Sequence, residues 1–327
     1  MSLNETVKSR VIGVDISLDR TSYAIVDVRG NIIARDGFNT YEYPNVSEYV
    51  STLCEKTVML AEENGGYEHI RSMGISAPSG NNLTGCIENA PNLIWKGIVP
   101  MAAMLRDRMG IAVALGNDAH LAGMGEHAFG SAHGMKNFIL VTLGHGIGSC
   151  IFSNGEVHLG TDGFAGEVGH TCIIPNGRTC GCGKKGCLEA YCGAKGIVMT
   201  AEEMMAESDK PSLMRTIDKL TPKSITECCE QGDEMAIEVY RRTGKLLGLT
   251  MSGYASLLDP EAIIFAGGIS KAGNWILEPA YEEFEKHVFH NIRGRVKLLL
   301  SALEDHERDV LGASALAWGI KEYSLFK

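Results

Sequence analysis

The chain has no apolar run long enough to cross a bilayer, and its opening, MSLNETVKSR, lacks the apolar core of a signal peptide. Neither a membrane span nor export is expected, and the reading is a cytoplasmic protein. Basic residues are also in short supply: 30 Lys and Arg stand against 40 Asp and Glu, a formal net charge of −10. Binding to a phosphate backbone depends on Lys and Arg density, so no nucleic-acid partner is expected. Internal repeats, blocks of like charge and low-complexity linkers are missing too. What remains is a 327-residue chain, 45% hydrophobic and 21% charged, with the composition of an ordinary globular enzyme. It is too long for one small core and suits two lobes.

Cysteine, by contrast, is plentiful. Ten are present, and without a secretory signal they point to a reducing compartment, where clustered Cys and His more often hold metal than pair as disulfides. Four of them lie between Gly163 and Glu189, in GFAGEVGHTCIIPNGRTCGCGKKGCLE, with one histidine and two glutamates, and the chain is organised around this stretch. Cys180, Cys182 and Cys187 follow a C-x-C-x4-C spacing with glycines between them, which folds tightly enough to aim three thiolates at one point. His170 completes a Cys3His set, the closed shell of a structural zinc site, with Cys172 as a rival for the histidine's place. Glu167 and His170 are three residues apart and would share a helix face. With one imidazole nitrogen on zinc, the other carries a proton and can donate to a hydroxyl. Glu167 and Glu189 then serve as hydroxyl acceptors, although either taken alone also reads as a solvated helix end.

GFAGEVGH followed by CGCGKKGCLE resembles the signature of the ROK family, bacterial sugar kinases and sugar-responsive repressors of the actin-like ATPase superfamily. The resemblance runs over nearly the whole chain. It implies an α/β chain with the two-lobed actin-like (ribonuclease H-like) ATPase fold and a zinc-stapled loop. By the same resemblance Glu167, His170 and Glu189 contact the sugar, while His170, Cys180, Cys182 and Cys187 hold a structural Zn2+.

The order of elements agrees. VIGVDIS, TSYAIVDV and NIIARDGF read as strands, SEYVSTLCEKTVMLAEEN as a helix and IRSMGIS as a fourth strand, as a first actin-like lobe requires. Asp15 closes the first strand, and the resemblance makes it the carboxylate that organises Mg2+ beside the phosphates of ATP. The loop after it departs from the family pattern D-x-G-G-T-[KN]: it reads DISLDR, with Ser17, Leu18 and Asp19 in place of two glycines and a threonine. A non-glycine residue held in a left-handed conformation costs about 1–2 kcal/mol. A carboxylate at 19 facing phosphate costs about 4 kcal/mol for unit charges near 4 Å at an effective dielectric of 20.

Further motifs follow in turn. GISAPSGNNLTGCIENAPNL resembles the family's sugar-side loop, offering Asn81, Asn82 and Asn92 as hydroxyl partners, though asparagine equally favours turns. Asn117-Asp118 lies at a strand-to-helix junction, where a helix cap is the plain interpretation. The ROK pattern NDANxxxxxE implies instead that Asp118 is the general base and Asn117 a sugar ligand; Glu126 matches, and His120 replaces the second asparagine. Gly144, Gly146 and Gly148 follow the strand FILVTL, and glycines let backbone N–H groups approach phosphate oxygens. Here the family's second phosphate loop falls, with His145 in place of a threonine. AIIFA opens onto Gly267 and Gly268, which resemble the adenosine-side loop.

The expected lobes are residues 1–116, rejoined by a C-terminal helix at about 308–327, and residues 117–307. The implied protein is an ATP-dependent hexose kinase acting on glucose or a related (N-acetyl)hexose at C6, with ATP and Mg2+, as a homodimer or homotetramer. The altered first loop also suggests another reading, a sugar sensor with impaired ATP binding. A repressor is not expected, since only ten residues precede Val11.

Overall fold

The computed structural model describes residues 7–321; residues 1–6, in the stretch read for a signal peptide, and 322–327, the tail of the expected last helix, lie outside the described residues. The chain divides into two compact units. The first takes the described residues of Met1–Gly134, Leu159–Ala165 and Ala302–Lys327, and the second takes Met135–His158 and Gly166–Ser301. The expected boundary after Gly116 thus falls inside the first unit, which runs on through a helix to Gly134.

In the first unit the apolar runs become β1 (Arg10–Ile16), β2 (Arg20–Asp27), β3 (Ile32–Asn39), β4 (Ile70–Ala77) and β5 (Ala112–Asn117). They form one sheet in the order β3-β2-β1-β4-β5, with β1–β2 and β2–β3 antiparallel and β1–β4 and β4–β5 parallel. α1 (Val46–Glu63) is capped by the Asn45 side chain, which accepts from the Ser47 and Glu48 amides, and α2 is Met101–Met109. Tyr49, Val50 and Leu53 recur at helical spacing and pack with Met101 and Leu105 on Met73 and Ile75. The loop expected over 77–91 contains strand as well: Gly80–Asn81, Cys86–Glu88 and Ile98–Val99 form a small antiparallel sheet. The opposite face of the main sheet is covered by α9 (Asp305–Gly319), through Val310, Leu311 and Ala317 on Val11, Ala24 and Val26. That contact is backbone on backbone. A Cβ on Gly74 would lie 1.9 Å from the Ala313 carbonyl oxygen, and one on Gly13 2.2 Å from that of Val310. α3 (Asp118–Phe129) packs beside α9, with Leu121 against Ala313 and Leu316.

In the second unit β6 (Phe138–Leu143), β7 (Ile147–Ser153), β8 (Glu156–Val157), β9 (Ala262–Ala266) and β10 (Lys297–Leu300) give the order β8-β7-β6-β9-β10. Again the first two connections are antiparallel, and β6–β9 and β9–β10 are parallel. The second sheet therefore repeats the first in order and direction, a duplication that the sequence itself does not display. Helices α4 (Glu189–Cys192), α5 (Ala194–Glu207), α6 (Pro222–Glu230), α7 (Glu234–Leu258) and α8 (Asn274–His287) follow. Tyr240, Leu247, Phe265 and Ile276 are fully buried in this unit's core, and Met204 and Met214 belong to it as packing residues. No helix among the described residues is long and apolar enough to cross a membrane.

Candidate functional site

The cysteine-rich loop of the second unit converges as its spacing predicts. One donor atom each from His170, Cys180, Cys182 and Cys187 lies within 4.8 Å of all the others. The Cys182 and Cys187 sulfurs are 3.7 Å apart, and Cys180 Sγ is 3.6 Å from His170 Nδ1. Four ligands at zinc–sulfur distances of about 2.3 Å on a tetrahedron stand about 3.8 Å apart, so the donor set fits zinc. Cys172 is exposed and outside this group, which removes the histidine's rival. The turn depends on Gly186, whose φ of +77° is left-handed and whose Cβ would sit 1.8 Å from the Ile174 carbonyl oxygen. Burial pushes the Cys180 thiol up to about 12 and raises Cys187, whereas the Lys184 backbone N–H holds Cys182 below its ordinary value.

His170 ends a short 3₁₀ turn, Val168–His170, that starts just after Glu167. Its Nδ1 faces the cysteines, which leaves Nε2 directed to the Glu167 carboxylate, 3.9 Å away. That separation is too long for a hydrogen bond. Glu189 is engaged on both oxygens: Oε1 accepts from the Cys180 thiol at 3.5 Å and Oε2 from the Ile147 backbone N–H at 3.0 Å. Ile147 opens β7, immediately after the Gly144-His145-Gly146 connection from β6. One carboxylate thus links the cysteine cluster to the glycine turn, with Gly148 inside β7. Gly267 and Gly268 leave the end of β9, and Gly267 packs against Leu143 at the end of the parallel neighbour β6. Both glycine turns therefore stand at one edge of one sheet.

The first unit assembles a different edge. Asp15 on β1 is register-paired with Ser76 on β4, and Ala77 with Asn117 on β5. The observed cap of α3 is Asn117, whose Oδ1 accepts from the Ala119 and His120 amides at 2.9 and 3.4 Å, so Asp118 is the first helical residue. Asp118 is exposed on one side and crowded by protein on the others, and that loss of water raises its pKa; the Ala119 N–H, His120 and Arg308 act in the opposite direction. Burial raises Asp15 well above the ordinary carboxylate range, helped by the charges of Asp309 and Asp118 and opposed by Ser76 and Arg308. The Ser76 hydroxyl lies close enough to bias Asp15 yet meets no partner at hydrogen-bond geometry. Arg308 and Asp309 come from α9, and motif reading missed both. Their signal was a charged head, Asp305 to Asp309, on a helix that is apolar from Val310 onward, with nothing local to say what it faces.

Other expected ligands serve the scaffold. Asn81 donates to the Asp162 carbonyl at 3.0 Å and accepts from the Leu83 N–H at 2.9 Å, and Asn82 donates to the Leu115 carbonyl. His120 is buried with Nε2 2.8 Å from the Ala165 carbonyl oxygen, and the Glu126 carboxylate accepts from the Ser131 N–H. Asn92 is exposed in a turn. In the DISLDR loop, Ser17 Oγ donates to the Arg20 carbonyl at 2.8 Å, closing a tight turn. Ser17, Leu18 and Asp19 all have negative φ, so the left-handed strain anticipated there is not present.

Two duplicated sheets, acidic at one edge and glycine-turned at the other, with a loop whose His and Cys donors converge as a metal site would need, define an actin-like ATPase fold. The chain belongs to the ROK family, whose profile matches residues 11–320. A glucokinase of Halalkalibacterium halodurans is 30% identical over 322 residues, covering 95% of this chain and 94% of the relative. A solved ROK family glucokinase from Streptomyces griseus in complex with glucose and AMPPNP is 30% identical, with a TM-score of 0.77 over 94% of this chain and 99% of that one. A ROK family transcriptional regulator superposes with a TM-score of 0.85 at 22% identity, over 94% of this chain and 77% of that one, a likeness of fold alone.

Proposed function

We propose that the protein is an ATP-dependent sugar kinase that phosphorylates the C6 hydroxyl of glucose or a related (N-acetyl)hexose. The observation that carries the reading is Asp118: the Asn117 cap fixes it at the head of α3, and crowding by protein raises its proton affinity above that of an ordinary carboxylate, the direction a general base needs. Asp118 takes the hydroxyl proton as the sugar oxygen bonds to the γ-phosphorus and the bond to the β-phosphate oxygen breaks, releasing ADP. Asn117, Glu167, His170 and Glu189 orient the ring. Asp15 organises Mg2+, the turn holding Gly144, Gly146 and Gly148 meets the phosphates, and Gly267 with Gly268 meets the adenosine. Zinc on the cysteine loop would supply rigidity and fix the His170 tautomer. Catalysis of this kind is mostly positioning and electrostatics. The glucokinase names among its relatives support the same reading, and a homodimer or homotetramer is proposed with it.

The test is a coupled ADP-release assay with glucose, mannose, allose, N-acetylglucosamine and N-acetylmannosamine. Sugar-dependent release that falls by roughly 10²–10⁴ in Asp118→Asn, with sugar affinity kept, is expected. A second reading, a sugar-binding protein with impaired ATP use, is favoured by the exposed Asp19 carboxylate in the first phosphate loop. Sugar binding without detectable ATP-Mg2+ binding in calorimetry at millimolar nucleotide would establish it and end the kinase reading.

A further inference from the structure

We propose that Arg178 is a positioning residue for Glu189, a latch that ties the cysteine loop to the corner between α4 and α5 and so fixes the direction of the Glu189 carboxylate. What Glu189 does for the sugar is taken from the kinase reading; how it is held lies wholly within the second unit. Arg178 stands two residues before Cys180 on one arm of the loop. Its carbonyl accepts from the Gly186 N–H on the other arm at 2.9 Å, and the Cys180 N–H donates to the Lys184 carbonyl at 2.8 Å. Backbone bonds therefore join the two arms between Arg178 and the thiols, and what holds Arg178 holds the loop.

The side chain reaches the two helices. All five guanidinium N–H groups find an acceptor there. Nε and Nη2 donate to the Glu203 carboxylate at 3.3 and 2.5 Å, Nη2 also to the Thr200 hydroxyl at 3.0 Å, and Nη1 to the Ala190 and Gly196 carbonyls at 3.3 and 2.8 Å. The guanidinium also lies 4.7 Å from the centroid of the Tyr191 ring, and the Tyr191 hydroxyl oxygen accepts from the Arg178 backbone N–H at 2.8 Å. Gly177 makes room for that approach, since a Cβ there would lie 2.1 Å from the same oxygen. Main chain and side chain of one residue thus grip Ala190 and Tyr191, the two residues that follow Glu189. The Arg178 side chain is 12% exposed and that of Glu203 54%, so the ion pair at the outer end is screened by water, and the fixing comes from the carbonyls and the ring. These acceptors call for a planar fork of five donors, which the three donors of a lysine cannot fill.

The experiment is a double-mutant cycle read by calorimetry. Glucose, mannose, allose, N-acetylglucosamine and N-acetylmannosamine are titrated into the zinc-loaded full chain without nucleotide, and the hexose bound most tightly is carried through Arg178→Lys, Glu189→Ala and the double variant. Arg178→Lys is expected to weaken sugar binding by roughly tenfold, as a small misplacement of a binding group does. It should have almost no further effect once Glu189 is alanine, because a latch that acts through Glu189 then has nothing to position. Should Arg178→Lys not fold, Thr200→Val, which removes one acceptor and keeps the side-chain shape, enters the same cycle with a smaller loss of the same non-additive kind. Unchanged affinity in the folded variant, an equal loss in both backgrounds, or no binding of any of the five sugars overturns the proposal. ADP release is measured on the same preparations. A non-additive cycle without turnover keeps the latch and sinks the kinase, and turnover with an additive cycle does the reverse.

Discussion

Glu189 shows how much one side chain can join. Its two oxygens reach the Cys180 thiol and the Ile147 amide, so truncating it disturbs the metal loop and the glycine turn together. Glu189→Ala is therefore expected to raise KM for both sugar and ATP, whereas Glu167→Ala, whose carboxylate approaches His170 only, raises KM for sugar alone; steady-state kinetics with each substrate varied in turn checks this. Asp233 is a simpler case. It caps α7 by accepting from the Met235 and Ala236 amides, and it also accepts from Ser212 and the Leu213 N–H. Burial would raise its pKa, but these donors outweigh that and lower it. A depressed folded value means stability that is complete above the unfolded pKa and lost as pH falls through the folded one. Asp233→Ala should cost about 1–2 kcal/mol in urea denaturation at pH 7, with the gap to wild type narrowing below pH 4. At this scale the His and Cys cluster was legible because its members are neighbours in sequence. Asp309 was not, because only the return of α9 brings it to Asp118.

Elements were legible where apolar runs met turns. The strand FILVTL is β6 residue for residue, and AIIFA is β9. The pieces at Gly80–Asn81 and Ile98–Val99 went unread because two residues carry no period. Equally hidden was the seating of α9, which depends on what is absent from the sheet beneath it. Gly74→Ala forces a methyl into the Ala313 carbonyl, and the helix must lift. The expected cost is roughly 1–3 kcal/mol by thermal denaturation, a typical overpacking penalty. Since α9 carries Arg308 and Asp309, kcat should fall further than stability explains, measured well below the melting point.

The two units have separate cores, and their shared topology could not be read from a sequence whose halves have diverged. Among the described residues the candidate zinc cluster lies within the second unit. Stripping it of zinc with a chelator is expected to lower Tm by roughly 10 °C, the effect of a ligand present at about a thousand times its dissociation constant. Sugar affinity should go with it, and both should return with added Zn2+; calorimetry and sugar titration read the two.

The repeated sheet carries one last implication. The same address, the hairpin after the first strand of each sheet and the end of the parallel strand beside it, is filled twice with contrary chemistry. One copy keeps Asp15 and Ser76, the other only Gly144, Gly146 and Gly267. The repeated frame thus offers two strand-end addresses, so that a carboxylate and a hydroxyl at one need not compete with exposed backbone amides at the other.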